Sequence, residues 1–175
     1  ERLLSGADGA VSLADFLDPQ ELSALYERFV LAYFRRHHPD LRAGAPWVSG
    51  GIEDAPVFLP GLHTDIVLTG QERTLIIDTK CYGRILGSRY DRSILSPANR
   101  NQIYSYVMHE ASDPRQSGRE VAGMLLYAQT AVDPPIRETW TETGHRFHVR
   151  TLDLDRDFTE IAVQLDDVAA LLASI

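Results

Sequence analysis

The sequence predicts an α/β protein in which a central mixed β-sheet is flanked by helices. Its 175 residues suit one domain, and 44% hydrophobic with 24% charged residues is close to the globular average. Helical and strand-like patterns follow one another in the order helix, strand hairpin, helix, two strands and helix. That order is typical of helices packed on a sheet.

Helical periodicity is clearest at residues 18–38. Asp18, Pro19 and Glu21 have the order of an N-cap, a proline at the first helical position and a capping-box acid. Apolar residues then recur every three or four positions, and Pro39 ends the predicted helix. Two more helices are predicted, at residues 98–112 and 157–174.

Strand-like runs lie between these helices. Residues 62–69 and 74–82 are predicted to pair as a hairpin across a short turn. Residues 121–129 form an apolar run that predicts a buried strand, and residues 146–152 alternate as a strand does. A short strand is expected near residues 57–59. Residues 83–98, rich in Gly, Arg and Ser, are predicted to be a loop.

Net charge and cysteine content narrow the function classes. The formal charge is −8 and there is one cysteine, Cys81, which excludes an internal disulfide and a Cys-rich zinc module. A single thiol suits a reducing, cytoplasmic compartment, and neither a membrane span nor a signal peptide is recognisable, so we expect no membrane partner. Because the first residue is Glu1, we expect the sequence to be the C-terminal part of a longer chain, with residues 1–175 forming one domain.

Charge is unevenly distributed along the chain. Residues 80–100 contain five basic residues and one acid, whereas residues 151–175 contain six acids and one basic residue. A mobile, arginine-rich loop would suit a phosphate backbone, although a solvated charged loop is the plain alternative. The candidate phosphate-contacting residues in this region are Arg84, Arg89, Arg92 and Arg100.

The most informative feature is a set of charged residues inside apolar strands. Asp65 precedes Ile-Val-Leu, and Asp78 follows Leu-Ile-Ile and is separated from Lys80 by one residue. Residues i and i+2 lie on one face of a strand, so Asp78 and Lys80 share a face. If the hairpin register also brings Asp65 opposite, two carboxylates and an ammonium converge, which suits a hard cation such as Mg²⁺ and phosphodiester hydrolysis. The alternative is a surface hairpin whose charges are merely solvated.

These runs resemble the core of the PD-(D/E)xK nuclease superfamily, and more narrowly the nuclease domain of McrC from the McrBC modified-cytosine restriction system. Thr64 stands where the superfamily name has proline. Three other stretches fit the family in order, over roughly residues 20–172. They are Leu25-Tyr26-Glu27-Arg28-Phe29-Val30, Asn99-Arg100-Asn101-Gln102-Ile103-Tyr104-Ser105-Tyr106 and Gly123-Met124-Leu125-Leu126-Tyr127.

The resemblance implies a restriction-endonuclease-like core and a role for each matching residue. Asp65 and Asp78 would be Mg²⁺ ligands, with Mn²⁺ as a substitute, and the backbone carbonyl of Thr79 would be a third. Lys80 would be the catalytic lysine, and Glu27 would approach the metal as a ligand through water or as an orienting group. At the edge of the site, Gln102 and Tyr106 would contact substrate or the lysine.

The resemblance also implies partners. The substrate would be DNA, and a GTP-hydrolysing AAA+ ring of the McrB type would deliver it. Cleavage of both strands would need two nuclease domains brought together. Two other interpretations stay open: a repair nuclease or resolvase of the same superfamily, and a non-catalytic assembly module that keeps the fold.

Overall fold

The computed structural model describes residues 18–48, 54, 56, 58, 61–81, 86–89, 92–129 and 134–173, with the backbone alone at 86–89 and 92–94. The helices are α1 (Pro19–His37), α2 (Pro97–Ala111) and α3 (Phe158–Ala169). The strands are β1 (Trp47–Val48), β2 (Leu62–His63), β3 (Ile66–Thr69), β4 (Arg73–Lys80), β5 (Leu86–Arg89), β6 (Arg92–Leu95), β7 (Glu120–Ala128), β8 (Arg137–Glu142) and β9 (His145–Leu152). Single 3₁₀ turns cover Pro39–Leu41, Pro114–Gln116 and Ala170–Leu172.

The predicted α/β architecture is confirmed. Five strands form a mixed sheet in the order β3-β4-β7-β9-β8. The three inner strands are parallel, and the edge strands β3 and β8 run antiparallel to their neighbours. Helix α2 packs on one face of this sheet, and α1 and α3 pack on the other, which gives three layers.

Local sequence signals explain where the helices begin. The Asp18 side chain accepts from the backbone of Gln20 and Glu21 at 2.8 and 2.9 Å, and the Glu21 side chain accepts from the Asp18 backbone at 3.1 Å. This reciprocal capping box satisfies amide groups that the first turn leaves without partners. Helix α2 begins in the same way, with Ser96 as its N-cap.

Two buried clusters hold the layers together. The cluster under α1 and α3 includes Phe34, Ile77 and Leu126, and the cluster under α2 includes Ile76 and Leu125. Adjacent residues of β4 thus point to opposite faces, and both faces are apolar, as expected for a strand covered by helices on both sides. None of the helices in the described part of the chain has the length and apolar character needed to cross a membrane.

The prediction of a loop over residues 83–98 is wrong in part. Residues 86–89 and 92–95 form a separate two-stranded hairpin, with Leu86 opposite Leu95 and Arg89 opposite Arg92. Few β-branched residues mark these strands, so composition indicates a loop while cross-strand pairing makes a ladder. The Arg89 and Arg92 that we assigned to a mobile loop therefore belong to strands.

Two other differences concern the remaining strands. The edge strand β8 was not predicted, because it is largely exposed and lacks apolar alternation. The predicted 62–69 strand is interrupted at residues 64 and 65, which separates β2 from β3. Residues 57 and 59 of the strand expected near 57–59 lie outside the described residues.

Candidate active site at the end of the central strand

The three charged residues singled out from the sequence meet at one edge of the sheet. The antiparallel register pairs Ile66 with Ile77, so the next position along each chain brings Asp65 opposite Asp78. Because Val67 and Ile76 both pack under α2, alternation places Asp65, Asp78 and Lys80 on that same face. The register condition left open by the sequence is therefore met.

The Asp78 carboxylate is buried in an ion pair. It is 1% exposed, and its Oδ2 is 2.6 Å from Nζ of Lys80, which is itself buried. Apart from this ion pair, neither oxygen of Asp78 has a hydrogen-bond partner among the described residues. Burial raises the pKa of Asp78 to about 6; Lys80 opposes the rise, and Asp65 and Glu27 add to it.

A relay of hydrogen bonds from α2 holds Lys80 in place. Its Nζ donates to Oε1 of Gln102 at 3.1 Å, and Nε2 of Gln102 donates to the Tyr106 hydroxyl at 2.9 Å. Gln102 and Tyr106 are four residues apart and therefore lie on one face of the helix. Burial raises the pKa of Tyr106, so its hydroxyl is neutral and can accept from Gln102.

A second contact between α2 and the sheet was missed by sequence reasoning. Nδ2 of the buried Asn99 donates to the hydroxyl of Tyr127 at 2.8 Å, and Tyr127 is the β7 partner of Lys80 in the parallel register. The signal was available, because Asn99 stands one turn before Gln102 on the same helix. This bond fixes the start of α2 beside the lysine.

Asp65 is oriented by its neighbour strand. Its Oδ2 accepts from the backbone amide of Thr79 at 2.7 Å and from the Thr79 hydroxyl at 2.8 Å. Two donors on one oxygen fix the direction of the carboxylate. Thr79 therefore has a role that the sequence did not reveal, since only its backbone carbonyl was expected to take part.

Glu27 approaches the same site from α1. Its side chain is half-buried. Burial, followed by the charge of Asp65, raises the pKa of Glu27, whereas His63 and Arg28 oppose the rise. The mutual effects of Glu27, Asp65 and Asp78 mean that three carboxylates share one electrostatic environment.

The donor set fits a hard cation. Within the described residues, Lys80 is the one donor that reaches the buried Asp78 oxygens. All candidate metal-ligating atoms are oxygens, which Mg²⁺ prefers. Within the described ranges, no three His, Cys, Asp or Glu side chains form a closed group around a metal position. Mg²⁺ usually takes one or two carboxylates and completes its shell with water and substrate phosphate, so an open carboxylate pair is compatible with it.

The predicted DNA contacts have different outcomes. Arg89 and Arg92 are opposite each other at the end of the β5–β6 hairpin, and Arg84 lies outside the described residues. Arg100 is exposed on α2 and its Nη2 is 2.5 Å from Oε1 of Glu142. Tyr106 is 6% exposed, which puts it behind Gln102 as a support.

Comparison with known proteins gives one informative similarity. The chain is 26% identical over 153 residues to the "Type IV methyl-directed restriction enzyme EcoKMcrBC" of Escherichia coli strain K12. The match covers 85% of this chain and 42% of that enzyme, so the chain spans less than half of the relative's length. No family model matches the chain.

Proposed function

We propose that this chain is the metal-dependent endodeoxyribonuclease domain of a modification-dependent restriction system. The observation that carries the proposal is the buried Asp78–Lys80 pair facing Asp65, with no hydrogen-bond partner of Asp78 besides Lys80 among the described residues. Burial of such a pair is costly, and a structural role alone would favour donors around the carboxylate. The similarity to a restriction enzyme supports the same reaction class.

Each residue has a chemical task in this proposal. Asp65 and Asp78 would hold Mg²⁺, or Mn²⁺ in its place, with the Thr79 carbonyl and Glu27 completing the protein side. The bound cation would supply Lewis-acid polarisation of the phosphate and a more acidic water. In this proposal the Thr79 amide and hydroxyl keep Asp65 directed at the cation.

Lys80 would stabilise the negative charge that develops on the phosphate. Its Nζ is held between Asp78 and Gln102, so the ammonium is oriented before substrate arrives. A positive charge fixed at a partly dehydrated position stabilises a developing oxyanion far better than a solvated one. The Tyr106 hydroxyl, by accepting from Gln102, keeps the Gln102 carbonyl oxygen turned toward Lys80.

The biological setting follows from the family resemblance and stays part of the proposal. DNA would be the substrate, with Arg84, Arg89, Arg92 and Arg100 near its phosphates. A GTP-hydrolysing AAA+ ring of the McrB type would bring DNA to the site. Two copies of the domain would cut the two strands.

A cleavage assay and a binding measurement together test the proposal. Supercoiled DNA is incubated with the 175-residue chain in Mg²⁺, Mn²⁺ or EDTA, with and without a McrB-type ring. We expect Asp78→Asn to lower the cleavage rate by about 10²-fold or more, and the exposed Asp167→Asn to leave it unchanged. Cleavage that continues in EDTA, or survives Asp78→Asn, would contradict the assignment.

Calorimetric titration gives a readout besides activity. We expect Mg²⁺ and Mn²⁺ to bind the unmodified chain, and the Asp65→Ala/Asp78→Ala double variant to lose that binding. Far-UV circular dichroism checks that the double variant is folded. Equal metal binding by both proteins would show that the cation sits elsewhere.

A further inference from the structure

An exposed tryptophan lies on β1, which pairs with the residues just before Asp65, and takes no part in the chemistry described above. Trp47 is 65% exposed, although a large aromatic surface in water is unfavourable. It lies in β1, which pairs antiparallel with β2 and brings Trp47 opposite His63. Strand β1 also contacts α2, the helix that carries Gln102.

The Trp47 ring packs against His63 and Gly61. It meets the His63 ring edge to face, with centroids 5.0 Å apart and an interplanar angle of 72°. Its other neighbour is Gly61, where an added Cβ would lie 2.7 Å from Cε3 of Trp47. Only a residue without a side chain allows the ring to lie this close to the backbone, so glycine at position 61 permits this placement.

The two strands connect the ring rigidly to the acidic residues. The Thr64 amide and hydroxyl both donate to the Pro46 carbonyl, at 3.3 and 2.9 Å. Pro46 precedes Trp47, and Thr64 lies between His63 and Asp65, so one pair of hydrogen bonds links the ring to the proposed metal ligand. His63 is also close enough to Glu27 to interact with its charge.

We propose that Trp47, supported by His63 and Gly61, stacks against a nucleobase of the DNA strand whose phosphate lies at Asp65 and Asp78. The inference rests on the proposed nuclease function. A rigid, exposed ring beside a phosphate-cleaving centre is placed to meet a base, and every base offers a flat face for stacking. A base can reach the ring only where it is unpaired or unstacked, so Trp47 favours a locally opened or single strand.

Fluorescence of Trp47 tests the stacking directly. The chain has two tryptophans, so Trp140→Phe leaves Trp47 as the sole reporter. In a buffer that contains Ca²⁺, we titrate this protein separately with two ligands. One is a single-stranded oligodeoxynucleotide and the other is an abasic oligonucleotide of equal length. We expect saturable quenching by the first and little by the second. Equal effects of the two ligands would mean phosphate attraction only and would overturn the inference.

Variants measure the contribution of the ring. Trp47→Ala should weaken oligonucleotide binding by about 5- to 150-fold, the range for loss of one stacked base, and Trp47→Phe should retain most of the affinity. The matched control is Phe158→Ala on α3, which removes another aromatic residue that is 56% exposed and should change nothing. Unchanged binding by Trp47→Ala, or self-association of the unmodified chain through this ring, would overturn the proposal.

The outcome separates this inference from the nuclease assignment. If the unmodified chain cleaves DNA with Mg²⁺ but its binding ignores Trp47, only the stacking inference is wrong. If binding depends on Trp47 but no metal-dependent cleavage occurs, stacking is confirmed and the nuclease assignment fails. If the chain neither binds nor cleaves DNA, both are wrong.

Discussion

The buried Asp78–Lys80 pair is predicted to be strongly coupled while contributing little net stability. The facing atoms are 2.6 Å apart, and the side chains are 1% and 10% exposed. At this separation an effective dielectric constant of about 20 gives an attraction of about 6 kcal/mol. Removing each charged group from water costs several kcal/mol. The attraction and the two desolvation costs therefore nearly cancel.

A double-mutant cycle separates these terms. Lys80→Met alone should lower the free energy of unfolding by about 3–5 kcal/mol, because it leaves the Asp78 carboxylate buried without a cation. The double variant Asp78→Asn/Lys80→Met should lie within about 1 kcal/mol of the unmodified protein or be more stable, because neither charge is left. Asp78→Asn alone leaves the Lys80 ammonium buried without its carboxylate and should also be destabilising. The coupling energy, which is the sum of the two single effects minus the effect of the double variant, should therefore be about 3 kcal/mol or more.

Urea unfolding at neutral pH in EDTA, followed by far-UV circular dichroism, measures each corner of the cycle. The matched control is the exposed pair Arg137–Asp167, whose atoms are 2.8 Å apart and whose side chains are 66% and 48% exposed. Arg137→Met and Asp167→Asn should couple by less than about 1 kcal/mol. If the buried pair couples no more strongly than this exposed pair, the reasoning about its desolvation is refuted.

Two further substitutions are informative. One tests how α2 is positioned against the sheet, and the other tests why the free energy of unfolding falls at acidic pH. A Cβ added at Gly123 would lie 2.8 Å from Cγ2 of Val107, so Gly123→Ala should push α2 away from the sheet. This should lower the free energy of unfolding in urea by about 1–3 kcal/mol. It should also slow DNA cleavage, because Gln102 moves with the helix. In the control Gly44→Ala, the added Cβ would have its nearest neighbour at 4.0 Å, so the free energy of unfolding and the cleavage rate should both be unchanged. Burial, followed by the nearby arginines, lowers the pKa of His148 from 6.5 to about 4. As the pH falls, His148 therefore becomes protonated in the unfolded chain before it does in the folded one. The free energy of unfolding should fall by at most about 3 kcal/mol as the pH drops from 6.5 to about 4. His148→Gln should remove this part of the pH dependence, and an unchanged profile would count against it.

The helices could be predicted because their signals are local. Asp18, Pro19 and Glu21 lie within four residues of each other, and the capping box they indicate forms as expected. The predicted pairing of Asp78 with Lys80 on one face is equally local, because strand alternation alone determines it. The hairpin register that brings Asp65 opposite Asp78 was left open by the sequence. Both faces of β3 and β4 are apolar and buried, so burial alone does not distinguish registers that differ by one residue.

The missed strands β5, β6 and β8 each pair with the strand next to them in the chain. Strand β8 is exposed and polar, and it exists through pairing with β9 across Thr143 and Gly144, whose φ angles are 48° and 84°. Two successive positive φ values are typical of the tight turn that joins hairpin strands. A Thr-Gly pair was therefore a usable turn signal. The hairpin at residues 86–95 also had a local signal. Its strands are Leu-Gly-Ser-Arg and Arg-Ser-Ile-Leu, and this inverted order places Leu, Ser and Arg opposite identical residues when the strands pair.

Site contacts that sequence reasoning missed are contacts between side chains. Periodicity assigns Thr79 to the face opposite Asp78, yet its hydroxyl bonds to Asp65 where β3 has not yet begun. The bond from Asn99 to Tyr127 joins positions 28 residues apart. Neither contact follows from spacing, because each needs the three-dimensional meeting of a strand end with another element.

The sheet also resolves the conflict between a net charge of −8 and a proposed DNA substrate. The acid-rich helix α3 packs on the face opposite α2, and three of the acids near it are already paired: Asp153 with Arg156, Asp166 with His38, and Asp167 with Arg137. The candidate site lies on the α2 face of the sheet. The Arg89–Arg92 end of the β5–β6 hairpin belongs to the segment that connects β4 with α2. Net charge averages two faces that a substrate would meet separately, so it predicts long-range repulsion of DNA without excluding contact at the α2 face. A domain of this kind gains from a partner that delivers the DNA, which is the arrangement proposed above.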